Sequence, residues 1–218
     1  MVRKTFENKL EELNTKLVRM GNMSKEALEK SVAALKEQNV DRSVEVIDKD
    51  YRINRLEEEL NNEAIWLIAK EQPVATDLRR LVTILKVSSD LERIGDLAVN
   101  IAKSTIRIGE KELFKPLEDI PQMAEKVIGM TADVLDTFQS EDIVTAKEIA
   151  DKDDEVDKMH GKLIQELLQY MSRDPNLISQ VTQLAFVCRD LERVGDHITN
   201  ISESIIYLVK GKQFDLNS

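Results

Sequence analysis

Carboxylates recur along this chain at a spacing that could gather them around a cation. Glu92, Asp96 and Asn100 follow one another at four-residue intervals, and Glu192, Asp196 and Asn200 repeat the series, extended by Glu203. On an α-helix that interval stacks side chains on one face, so each series forms a column of oxygen atoms. Like charges one turn apart disfavour a bare helix by about 0.2–0.5 kcal/mol, and something should offset the cost. One reading is a solvated charged face in which Arg93 and Arg193 pair with acids on adjacent helices. The other is a bound cation, because carboxylates in oxygen-rich, partly desolvated sites hold hard metal ions. Further acids precede each column at matching four-plus-three spacing: Asp50 with Asn54 and Glu57, then Asp153 with Asp157 and His160.

Gly95 and Gly195 sit inside these columns. Glycine within a helix costs about 1 kcal/mol relative to alanine, so its double appearance points to a close approach of another helix or of a ligand to the backbone. His197 replaces Leu97 of the first series at the edge of the apolar face and reads as a hydrogen-bonded boundary histidine. Cys188 lies after the apolar run Leu184–Val187 and reads as a small buried hydrophobe.

The elements that must position these groups are helices. Leu91, Ile94, Ala98 and Ile101 fall opposite the first column and predict a core-facing stripe. Periodicity and breakers divide the chain into six helical segments, at about 3–37, 41–71, 74–108, 121–139, 141–171 and 175–210. Asn39, Ser140-Glu-Asp and Asp174-Pro175 supply caps, and Pro73 ends the second segment. With a rise of about 1.5 Å per residue the longer segments reach roughly 45–50 Å.

The two halves repeat each other. Asp90-Leu-Glu-Arg-Ile-Gly-Asp-Leu-Ala-Val-Asn-Ile101 returns as Asp190-Leu-Glu-Arg-Val-Gly-Asp-His-Ile-Thr-Asn-Ile201, and Ile47-Asp-Lys-Asp50 parallels Ala150-Asp-Lys-Asp153. A repeat this long implies a duplicated unit. The fold expected is all-α: two tandem, pseudo-symmetric three-helix bundles, residues 1–110 and 121–218, joined by a linker at 111–120 that is bounded by Gly109 and Pro121 and contains Pro116.

Composition agrees: 42% apolar and 33% charged residues with only 4% aromatics suit helical bundles with charged outer faces. The net charge of −10 argues against direct contact with nucleic acid or anionic membrane. A single cysteine, no secretion-signal pattern at Met1 and no run of 18 apolar residues point to a cytoplasmic protein. No Gly-rich phosphate loop, Ser/His/Asp set or Cys/His pair stands out, so an enzyme is not expected. A carboxylate-bridged di-iron protein would need two Glu-x-x-His pairs, and only Asp157-x-x-His160 comes close. A metal-free helical scaffold remains open.

Two copies of a Glu-Arg-Ile/Val-Gly-Asp core in a six-helix repeat resemble the PhoU family, and Lys70–Arg79 resembles its link between second and third helices. The resemblance covers nearly the whole chain. It implies a negative regulator of phosphate uptake and of the phosphate-starvation response. The implied partners are the ATPase of a phosphate ABC transporter and a sensor histidine kinase, with the membrane reached only through them. It further implies iron or zinc clusters held by Glu92, Asp96, Glu192 and Asp196. Asp50 and Asp153 are weaker extensions, and Asn54 in place of Asp157 leaves the first site one fewer charge at that position. Rods with exposed stripes also suggest self-association, most simply as a homodimer.

Overall fold

Each expected stripe closes onto another in a computed structural model, which describes residues 2–110, 112–114 and 118–216, the side chains of residues 2 and 3 aside. The helices are α1 (Val2–Glu37), α2 (Val40–Lys49), α3 (Tyr51–Glu71), α4 (Ala75–Ile108), α5 (Asp119–Ser140), α6 (Ile143–Asp151), α7 (Asp153–Arg173) and α8 (Ile178–Lys210). A short 3-10 turn, Pro175–Leu177, leads into α8. Among the described residues there is no strand, and no helix is long and apolar enough to cross a membrane.

The six expected rods are present, and two of them are interrupted once. In the first unit the ladder tightens at Asp50, whose N–H donates to the Ile47 carbonyl at 3.4 Å while its backbone stays helical. In the second unit the same happens at Lys152, whose N–H donates to Ile149 at 3.1 Å. One interruption falls at Asp50 and the other just before Asp153, the two aspartates that turn inward. The turns before these rods also match. Gln38 and Glu141 are left-handed, and Asn39 and Asp142 then cap the next helix by accepting from Arg42 and Val144. The fifth helix opens at Asp119 rather than at 121, which puts Pro121 in a first turn that needs no N–H donor.

The third rod of each unit, α4 and α8, runs through the middle and packs against its counterpart, while α1 packs on α4 and α5. Leu81, Ile84, Leu91, Ile94 and Ile101 of α4 join Leu184, Leu191, Val194, Ile198 and Ile201 of α8 in one hydrophobic cluster that also takes in α1 and α5. Cys188 is fully buried within it, as its apolar neighbours predicted. A polar clasp crosses the same seam: His197 Nδ1 lies 2.9 Å from Asp90 Oδ1, and Asn200 donates to that oxygen at 3.4 Å. The connection between units is tied down by Gln180, which donates to the Glu112 carbonyl and accepts from the Phe114 N–H. Residues 111 and 115–117 of the expected linker lie outside the described residues.

Because the core is continuous across the units, the chain should melt in one cooperative transition, with far- and near-ultraviolet circular dichroism coincident. Leu91→Ala, at a fully buried site, should lower stability by about 2–5 kcal/mol without splitting that transition. Two separated melts would show that the units fold independently.

Candidate metal centres

Each acidic column is set on a helix whose opposite side is locked into the core. Leu91, Ile94, Ala98 and Ile101 are buried, which leaves Glu92 and Asp96 half-buried beside α3. Leu191, Val194, Ile198 and Ile201 do the same for Glu192 and Asp196 beside α7. From the neighbouring rods, Asp50 and Asp153 reach in at the points where the helices break.

The two glycines explain how they reach. A Cβ on Gly195 would lie 2.1 Å from Asp153 Oδ1, a separation no real contact allows. A Cβ on Gly95 would meet Ile53 Cδ1 at 3.0 Å and Asp50 Oδ1 at 3.5 Å. The close approach expected at these positions is therefore that of the adjacent helix and its aspartate. Asp153 is held from one side only, by Thr199 Oγ1 donating to Oδ2 at 3.1 Å, and Asp50 Oδ2 accepts from Asn54 at 3.2 Å. Oδ1 of each aspartate is buried and has no hydrogen-bond partner among the described residues. An orphaned buried carboxylate oxygen is costly.

The carboxylates feel one another. Burial, then repulsion from Asp96, raises the pKa of Asp50; burial, then repulsion from Asp96, also raises Glu92, with Glu57 and Asp50 adding to it against Arg93. In the second unit burial pushes Asp153 up to about 6, opposed by the Thr199 hydrogen bond and reinforced by Asp157 and Asp196. Glu192 is raised by burial, then by Asp196, Asp157 and Asp153, and Asp196 by burial and Asp157. Two clusters result: Asp50, Glu57, Glu92 and Asp96 in one unit, and Asp153, Asp157, Glu192 and Asp196 in the other.

Arginine does not relieve them in the way the first reading required. Arg93 pairs with Asp96 at 2.9 Å and with Glu92 at 3.4 Å on its own helix, not with acids on an adjacent one. The donor set, all oxygen with two orphaned atoms, fits a hard cation by its chemistry. Among the described residues, however, no group of three or more acid, histidine or cysteine side chains is arranged so that it could hold a metal ion.

The remaining expected residues lie around these clusters. Asp157 is exposed and acts on the others through its charge, and Asn100 and His160 are half-buried. Asn200 is turned to Asp90 across the seam. Two groups escaped sequence reasoning. Thr199 stands where the first unit has Val99, and that break in the repeat was its signal. Asp190, nearly fully buried, has its pKa raised by burial and is opposed by Arg189 at 3.4 Å; no spacing rule distinguishes it from the exposed acids.

The model of the PhoU domain matches this chain twice, over residues 17–105 and 120–205. The chain is 42% identical over 218 residues to a phosphate-specific transport system accessory protein PhoU homolog of Clostridium acetobutylicum, covering 100% of both. It superimposes with a TM-score of 0.90 and 31% identity on the crystal structure of the phosphate transport system regulatory protein PhoU from Streptococcus pneumoniae, covering 96% of this chain and 99% of that one. For PhoU from Pseudomonas aeruginosa the TM-score is 0.91 at 34% identity, covering 95% of this chain and 100% of that one.

Two measurements check the geometry. Gly195→Ala should destabilise by about 1–3 kcal/mol, since its methyl group and Asp153 cannot share the space. Gly95→Ala should be nearly neutral, as its helix gain of about 1 kcal/mol offsets a mild contact with Ile53. The pH dependence follows from Asp153. Its folded pKa of about 6 lies above its ordinary 3.8, so the native state binds the proton more tightly. Stability contributed by that proton is lost as pH rises from about 4 through 6. Metal-free protein should therefore melt higher at pH 5 than at pH 7, and Asp153→Asn should flatten the difference.

Proposed function

Since this chain belongs to the PhoU family, whose members serve phosphate transport, we propose that it is a non-enzymatic negative regulator of phosphate uptake and of the phosphate-starvation response. In this reading it works in the cytoplasm, links the ATPase of a phosphate ABC transporter to a sensor histidine kinase, and does so as a homodimer. The observation that carries the regulatory role is the double match to the family over residues 17–105 and 120–205, with a Glu-x-x-x-Asp core in both units. The acidic balance of the chain supports action through proteins rather than on DNA.

We further propose that the two clusters bind iron or zinc. Asp153, Asp157, Glu192 and Asp196 would hold the second-unit ion, with Asp50, Glu92, Asp96 and Glu57 serving the first. The bound ion would supply positive charge that cancels carboxylate repulsion and ties α7 to α8. The support is the orphaned oxygen of each inward aspartate and the mutual repulsion of its neighbours. The all-oxygen set favours iron over zinc, whose structural sites prefer nitrogen and sulfur. Each cluster has four carboxylates, since Glu57 stands where the second unit has His160 and makes up for Asn54 in place of Asp157; Val99 in place of Thr199 leaves the first with one fewer hydroxyl, so the second should bind more tightly.

Deleting the gene should switch on phosphate-starvation genes in phosphate-rich medium, read by transcript levels, and unchanged transcripts would count against the regulatory role. For the metal, Glu192→Ala with Asp196→Ala should abolish second-unit occupancy in elemental analysis. It should also raise the melting temperature of chelator-treated protein by relieving repulsion, and lower it in metal-loaded protein, because a ligand confined to the folded state stabilises it. The opposite sign in chelator would refute the electrostatic argument.

A further inference from the structure

The first unit keeps open a cleft that the second unit bridges with charge. In the second unit, Lys126 of α5 forms an ion pair with Glu155 of α7, and Lys152, between α6 and α7, pairs with Asp133 of α5 at 2.7 Å. Both pairs cross the groove between the unit's first helix and its broken rod. Counting from the matched caps Asn39 and Asp142, these four positions in the first unit are Met23, Arg52, Lys49 and Lys30. None of the four is an acid, and three are cations, so no such bridge can form.

The groove there is a cleft of about 620 Å³ between α1 and the α2–α3 rod. Its apolar lining is Met23 and Ala27, one turn apart on α1, facing Val46, Ile53 and Leu56. Arg19, Lys30, Lys49, Arg52 and Arg55 surround it and outnumber the acids Glu26, Asp50 and Glu59. Several of these are satisfied locally: Lys30 by Glu26, Lys49 by Glu45 and Arg55 by Glu59. Arg19 and Arg52 are exposed and have no acidic partner among the described residues. A concave surface with surplus cations is out of keeping with a chain of net charge −10.

The outline of the cleft selects its occupant. It runs from Arg19 to Lys30 on α1 and from Lys49 to Glu59 opposite, about three helical turns at roughly 1.5 Å per residue. A trough between two helices, apolar along its floor, accepts the apolar face of a third. The unpaired arginines on its rim then ask for carboxylates on that helix's flanks. We propose that this cleft docks an amphipathic helix of another protein that carries Asp and Glu beside its apolar stripe. The inference goes beyond the regulatory reading, and its test needs neither metal nor phosphate.

The probe is a pair of fluorescein-labelled 14-residue helical peptides with a shared leucine stripe, flanked in one by Glu and in the other by Lys, titrated with the full chain by anisotropy. The Glu peptide should bind saturably, weaken with added salt, and exceed the Lys peptide by about tenfold or more. Transplanting the second-unit pairs, Met23→Lys, Lys30→Asp and Arg52→Glu together, should lower that affinity about tenfold while circular dichroism and melting stay unchanged. Should that variant misfold, the exposed pair Arg19→Glu and Arg52→Glu provides the same test. No binding of the Glu peptide, equal binding of both peptides, or affinity unmoved in a folded variant overturns the proposal. So does inorganic pyrophosphate that binds and is displaced by these substitutions while the Glu peptide stays inert, which would mark a small-anion site.

Discussion

The lengthwise packing of α4 against α8 is the constraint on which the rest depends. Both helices are buried along one side from Leu81 to Ile101 and from Val181 to Ile201, so neither can rotate about its axis without exposing a row of Leu, Ile and Val. That fixes the direction of everything else they carry. Glu92 and Asp96 are aimed at α3, Glu192 and Asp196 at α7, and the Asp90–His197–Asn200 clasp closes the seam between them. The outer rods then find their own places: α1 against α4, with Ser24 Oγ donating to the Leu91 carbonyl at 2.8 Å, and α5 against α8.

Within that frame the inward aspartates are a deliberate expense of stability. An ionised carboxylate with a buried, unsatisfied oxygen is tolerated only if a proton, a hydrogen bond or a cation neutralises it. Asp153 has Thr199 for one oxygen and, among the described residues, no partner for the other, and it is chiefly burial that raises its affinity for a proton. At Gly195 an added methyl group and Asp153 could not keep their present positions, so there the helix-weakening residue and the destabilising acid belong to one device. The break in each outer rod beside these aspartates fits the same account, since the backbone gives locally where a side chain is forced inward.

Duplication gave two such devices, and the differences between them divide the labour. The second unit has Asp157, the Thr199 hydroxyl and the groove closed by Lys126–Glu155 and Lys152–Asp133. The first has Asn54, Val99 and an open cationic cleft in the same place. At the seam, Leu97 opposite His197 removes the symmetry once more and leaves Asp190 without a histidine.

Much of this was legible in the residues themselves. Apolar periodicity, caps at Asn39 and Asp174 and the recurrence of Glu-Arg-x-Gly-Asp are local signals, and local signals fix helices and a duplicated unit, because hydrogen bonding and side-chain stacking in a helix span only four residues. The acid columns were legible for the same reason. What lies across a helix interface was not. That Gly195 faces Asp153, that Arg93 folds back onto its own helix, that Asn200 turns to Asp90 and that Lys30 and Lys49 face across a groove depend on how rods are rotated and offset, and periodicity says nothing of offset. The breaks at Asp50 and Lys152 were invisible too, since no proline or glycine marks them and the backbone there stays helical. Sequence determined which side chains share a helix face; only packing decided which face each of them meets.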